Sequence, residues 1–92
     1  MPLLSDDEIE RRLESVPEWR RDGDTIGRQF KFGDFTGSVD FVNRIAPPAE
    51  EMNHHPDIAI SWNKVDLTLS THSEGGLTEN DFELAARIDS LA

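Results

Sequence analysis

Three histidines and a few carboxylates carry what chemistry this chain has to offer. His54 and His55 stand side by side ahead of Pro56, and His72 stands ahead of a Ser73-Glu74-Gly75-Gly76 stretch. Histidine is the side chain that both gives and takes protons near neutral pH. If the segment before Pro56 is helical, Glu50 shares a face with His54 and could orient its imidazole. Two chemistries fit. Three neutral imidazoles can hold zinc, although adjacent histidines on a helix diverge by about 100° and chelate poorly. Alternatively, imidazoles around a small heterocycle could protonate a leaving hydroxyl and remove another proton, a dehydration needing no metal. Plainer readings stand beside these. A His-His pair at a helix C-terminus can be exposed cations favoured by the helix dipole. His72 can be an exposed strand end, Asp81 a helix cap, and Gly75-Gly76 a turn. Trp19 and Trp62 read as core, Trp62 alternatively as interface.

The elements that must position these residues follow from the pattern. Ser5-Asp6-Asp7-Glu8 fits a capping box, with Leu4 and Ile9 as its staple. Ile9, Leu13 and Val16 supply the first helix's stripe, and Pro17 stops it. Trp19-Arg20-Arg21, then Asp22-Gly23-Asp24, then Ile26, Phe30 and Phe32 at even spacing read as a hairpin. A second helix runs from about Asp34 to His54. Its stripe is Phe35, Val39, Val42, Ile45, Ala49 and Met52. Pro47-Pro48 interrupts it, so a kink or two abutting segments are expected. Ile58, Ile60 and Trp62 alternate in one strand. Val65, Leu67, Leu69 and Thr71 share a face of the next, after an Asn63-Lys64 turn. The last helix opens at Thr78 with Asp81 as capping-box partner. Leu77 and Phe82 form its staple, and Leu84, Ala85, Ile88 and Leu91 its stripe. The order is α-β-β-α-β-β-α. This is an α+β fold with a four-stranded antiparallel sheet and three helices packed on one face. The open sheet edges could pair with another subunit.

Composition removes other classes. Ninety-two residues make one domain, 1–92, with one modest core. There is no cysteine, hence no disulfide, thiolate metal site or thiol nucleophile. The net charge is −10, with two Lys and seven dispersed Arg, which argues against direct nucleic-acid binding and against an anionic membrane surface. The acidity is ordinary solubility, and it would also suit a high-salt cytosol. No apolar run is long enough to span a bilayer and no secretory pattern opens the chain, so a cytoplasmic location is expected.

Taken together, the residues resemble a known family. Glu50-x3-His54-His55-Pro56 is followed at fixed distances by Trp62, His72 and Asp81. Asn53 to Pro56, Trp62-Asn63-Lys64-Val65, Leu67 to His72 and Gly76-Leu77-Thr78 make the likeness nearly continuous. Phe30-Lys31-Phe32-x-Asp34-Phe35 extends it. The pattern resembles the pterin-4a-carbinolamine dehydratases. The resemblance implies removal of water from 4a-hydroxytetrahydropterin to give quinonoid dihydropterin, in support of tetrahydropterin recycling. It implies His54 and His72 as acid and base, and His55 as a substrate-binding histidine that can share the proton work. Glu50 and Asp81 match carboxylates around the site. Pro56 and the segment Thr71-His72-Ser73-Glu74 match pterin contacts, the latter partly through backbone groups. It implies neither metal nor organic cofactor, and a homodimer or homotetramer built through sheet edges and helices. Within the same family likeness, a non-catalytic oligomeric interaction or assembly module is the alternative.

Overall fold

The computed structural model describes residues 2–92. The elements are α1 (Asp6–Leu13), β1 (Arg20–Asp22), β2 (Thr25–Lys31), α2 (Phe35–Met52), β3 (Asp57–Ser61), β4 (Lys64–Leu69) and α3 (Glu79–Asp89). This is the expected order, and the four strands form one antiparallel sheet, β1-β2-β4-β3.

The local signals act as their chemistry requires. Ser5 caps α1: its hydroxyl accepts from the Glu8 N–H, and the Glu8 carboxylate accepts from the Ser5 N–H at 3.0 Å. The helix closes at Leu13, earlier than the proline would impose, and Val16 reaches the core from the turn beyond it. Gly23, at φ +59°, supplies the left-handed residue of the two-residue β1–β2 turn.

Ile26 and Phe30 from β2, and Val65, Leu67 and Leu69 from β4, form the sheet's contribution to the core. Ile9, Phe41, Ile45, Ala49, Phe82, Leu84, Ala85 and Ile88 cover them from the helices. Asp89 ties the end of α3 to the first hairpin. Its Oδ1 accepts from Trp19 Nε1 and from Arg28, both at 2.8 Å, and the Arg28 guanidinium lies over the Phe30 ring.

Three expectations are corrected. The buried stripe of α2 is Ser38, Phe41, Ile45 and Ala49; Phe35, the first residue of the helix, is 55% exposed. Of the two outcomes expected at Pro47-Pro48, two abutting segments are excluded: α2 is a single helix from Phe35 to Met52. Two amide donors are missing, and Pro47 is exposed and Pro48 half-buried. Trp62 is not core. The β3–β4 turn falls one residue earlier than the pattern suggested, pairing Ser61 with Lys64. Trp62 therefore sits in the turn at φ +52° and is 66% exposed. Asn63 is buried in its place, donating to the Phe32 carbonyl at 3.0 Å.

Candidate active site

The site begins with how α2 stops. Asn53 adopts the left-handed conformation, φ 49° and ψ 44°. Its N–H donates to the Glu50 carbonyl, and the His54 N–H donates back to the Ala49 carbonyl at 3.0 Å. This is a Schellman closure, with asparagine in the place glycine most often takes. The reversal breaks the helical spacing before His54 is reached. His54 is therefore turned inward and His55 outward: His54 is 8% exposed, while the His55 side chain is 55% exposed. Pro56 then forces an extended path into β3.

β3 and β4 run antiparallel, with Asp57 opposite Thr68. The start of one and the end of the other thus lie side by side. A cleft of about 390 Å³ opens between them, lined by Asn53, His54, His55, Pro56, Asp57, Ser70, Thr71, His72 and Ser73. That is enough for a small heterocycle, with polar groups on both walls. His72 and Ser73 project from the tight turn after β4, which is held by the Thr71–Gly76 bridge and by Gly75 at φ +73°.

Behind His54 lies a buried polar chain. His54 Nε2 is 2.6 Å from Asp81 Oδ1. Asp81 is fully buried near the start of α3. Its Oδ2 accepts from the Thr78 N–H at 2.9 Å and from the Thr71 hydroxyl at 2.8 Å. The Thr71 and Thr78 hydroxyl oxygens are 2.7 Å apart. Asp81 is thus both the helix cap and the partner of a histidine, two roles the sequence presented as alternatives.

Of the expected site residues, His54, His55, Pro56, Thr71, His72 and Ser73 border the cleft. Asp81 stands behind His54 and not on the cleft wall. Glu50 does not orient His54; it lies 3.5 Å from His55 Nε2, and it borders a neighbouring apolar groove with Val42, Ile45, Ala46, Ala49 and Ile58. Glu74 is exposed in the turn beside His72. Asn53, Asp57 and Ser70 line the cleft without having been singled out; each flanks a histidine segment, which was the available signal. Among the described residues no three His, Asp or Glu side chains converge as a metal site. None of the helices is long and apolar enough to cross a membrane, again among the described residues.

Known proteins match this chain along nearly all of it. The family described as pterin 4 alpha carbinolamine dehydratase matches residues 2–91. A Picosynechococcus protein named "Putative pterin-4-alpha-carbinolamine dehydratase" is 50% identical over 96% of both chains. A Sulfolobus acidocaldarius protein of the same name is 49% identical, covering 96% of this chain and 97% of its own. Among solved structures, a Brucella melitensis protein described as a transcriptional coactivator/pterin dehydratase superposes with a TM-score of 0.95 at 35% identity, covering 99% of each chain. A pterin dehydratase-like protein identified as a RuBisCO assembly factor in the alpha-carboxysome gives 0.70 at 31% identity, covering 82% of this chain and 89% of its own. With a family match from end to end and half its residues shared with relatives of equal length, the chain belongs to the pterin 4 alpha carbinolamine dehydratase family.

Proposed function

We propose that the protein eliminates water from 4a-hydroxytetrahydropterin, giving quinonoid dihydropterin, through histidine acid–base catalysis in this cleft, and so serves tetrahydropterin recycling. The observation that carries the reading is the convergence of His54, His55 and His72 on one small polar cleft from opposite walls. In the elimination, a neutral imidazole removes the proton on the ring nitrogen beside C4a. The released electron pair forms the new C=N bond, and the C4a–O bond breaks. A protonated imidazole on the other side gives its proton to the departing oxygen, which leaves as water. His54 and His72 fill these roles, and His55 binds the heterocycle and can share the proton work. Neither step needs a metal or organic cofactor.

The same reading includes self-association in the cytoplasm. All of β3 is exposed at the sheet edge, with Ile58 and Ile60 at 39% and 37% and Trp62 just beyond. An unpaired, apolar edge of this kind favours a homodimer or homotetramer through sheet edges and helices. The second reading is an interaction or assembly module on this fold, which the likeness to an assembly factor supports. It gives no reason for three histidines on one cleft.

A stopped-flow assay with 4a-hydroxytetrahydropterin generated in situ, at low and high salt, separates the two. The dehydratase reading expects acceleration of about 10²–10⁴, lost in a folded His54→Ala/His72→Ala double variant. No acceleration from folded protein, or full activity in that variant, overturns it. The first of those results, with stoichiometric capture of a partner, would favour the module.

A further inference from the structure

We propose that the hydroxyl chain Thr78–Thr71 is a positioning device. It holds the Asp81 carboxylate so that His54 presents Nδ1, and not Nε2, to the cleft as its proton-accepting atom. The inference rests on the dehydratase reading for its catalytic consequence, but not for its structural content.

The argument is a count of protons. A threonine hydroxyl has one to donate. Thr71 spends its proton on Asp81 Oδ2. The 2.7 Å contact between the two hydroxyls must then be donated by Thr78. The second donor on Oδ2 is the Thr78 backbone N–H, which cannot reverse. Oδ2 is therefore fixed as an acceptor by two groups, both from segments anchored in buried structure: Thr71 is 8% exposed and Thr78 fully buried. That fixes the plane of the carboxylate and aims Oδ1 at His54.

A carboxylate oxygen 2.6 Å from Nε2 selects the ring form that carries its proton there. The lone pair of the neutral imidazole is then on Nδ1. Among the described residues Nδ1 has no hydrogen-bond partner, yet it is not sealed from the surface, and His54 is one of the residues lining the cleft. The nitrogen that can accept a proton is thus the one left free for a bound ligand. When Nδ1 takes a proton, the Nε2–H stays on Asp81, and the cation forms against a carboxylate already in place. Thr71 and Thr78 need touch no substrate to govern this; they act through Asp81.

The test reads the ring directly. Long-range proton–nitrogen NMR of the His54 ring, identified by its loss in His54→Ala, should show neutral wild-type His54 protonated at Nε2. Thr71→Val keeps the shape and removes the donor. It should give a mixed or inverted ring form and lower kcat by about tenfold or more, with KM little changed. Thr71→Ser should restore both; Thr71→Ala serves if the valine variant does not fold. Asp81→Asn should invert the ring form outright, because the amide oxygen would take the two donors and its N–H₂ would face Nε2. A wild-type ring protonated at Nδ1 overturns the proposal. So does a folded Thr71→Val variant that keeps the wild-type ring form and kcat. If wild-type protein fails to dehydrate the pterin but shows the expected ring pattern and its loss in Thr71→Val, the dehydratase reading falls and the positioning assignment stands.

Discussion

Glu50 reaches His55 and not His54: the carboxylate and His55 Nε2 are 3.5 Å apart, with both side chains more than half in water. An exposed pair of this kind contributes little. Glu50→Gln should change stability by less than about 1 kcal/mol and leave the His54 ring form untouched. Urea unfolding checks the first, and a larger loss would assign Glu50 a role that its exposure does not support.

Asp81 is expected to behave in the opposite way. Asp81→Ala strands the Thr78 N–H and the Thr71 hydroxyl in a buried site and removes the α3 cap. A loss of about 2–4 kcal/mol follows, measurable by the same unfolding, with a fall in dehydration rate beyond any loss of folded protein. A stability change under 1 kcal/mol would mean that those donors find new partners.

Phe41 and Phe35 lie near each other in sequence and should differ sharply. Phe41 is fully buried and rests within 4.7–4.9 Å of the Phe30 and Phe32 rings, centre to centre. Phe41→Ala should cost about 3–5 kcal/mol. Phe35→Ala should stay within about 0.5 kcal/mol in the monomer. Comparable losses in the two would restore the rotated stripe read from the pattern.

The two prolines of α2 withhold donors from the carbonyls one turn back. Replacing both with alanine supplies those bonds at the cost of a more flexible unfolded chain. The net should be a gain of about 1–3 kcal/mol, seen as a higher urea midpoint with an unchanged slope. A loss would mean that the rings themselves pack usefully.

Glu8 gives a pH signature. The Ser5 backbone N–H first, and then the Ser5 hydroxyl, hold its carboxyl below the ordinary glutamate value. The folded state therefore binds this proton less readily than the unfolded state. The capping stabilisation is present above the ordinary glutamate value and is lost as pH falls through the folded one. A carbon-13 titration of Glu8 should have its midpoint below that of an unfolded reference, and Ser5→Ala should raise it. Ser5→Ala keeps the backbone N–H, so an unchanged midpoint there would remove the hydroxyl as a cause and leave the N–H.

Much of this was legible in the chain because the signals were local. The Ser5–Glu8 box, the hairpin turn within Asp22-Gly23-Asp24 and the period-two run from Val65 to Leu69 each draw on neighbours, and each is present in the structure. What was misread depended on a rotation or a long reach. Phe41 lies just off a second plausible stripe, and only packing against Phe30 and Phe32 decides between them. Trp62 takes a backbone conformation that bulky residues seldom adopt, so nothing in its type announces a turn. Unbroken helical spacing pairs Glu50 with His54; one left-handed residue, Asn53, breaks that spacing. The Thr71–Asp81 bond spans ten residues and a turn, beyond any spacing rule.

The strand order β1-β2-β4-β3 also sets a timetable for folding. Each hairpin can zip from its own two-residue turn, on the order of microseconds. The central β2–β4 pairing must first close the stretch between Lys31 and Lys64, with α2 inside it, a slower search. The β3–β4 hairpin sets the two cleft walls side by side, but His54 gains its buried Asp81 partner only when α3 docks on the closed sheet. Ligand protection should therefore appear late in refolding, after the hairpin amides have stopped exchanging with solvent.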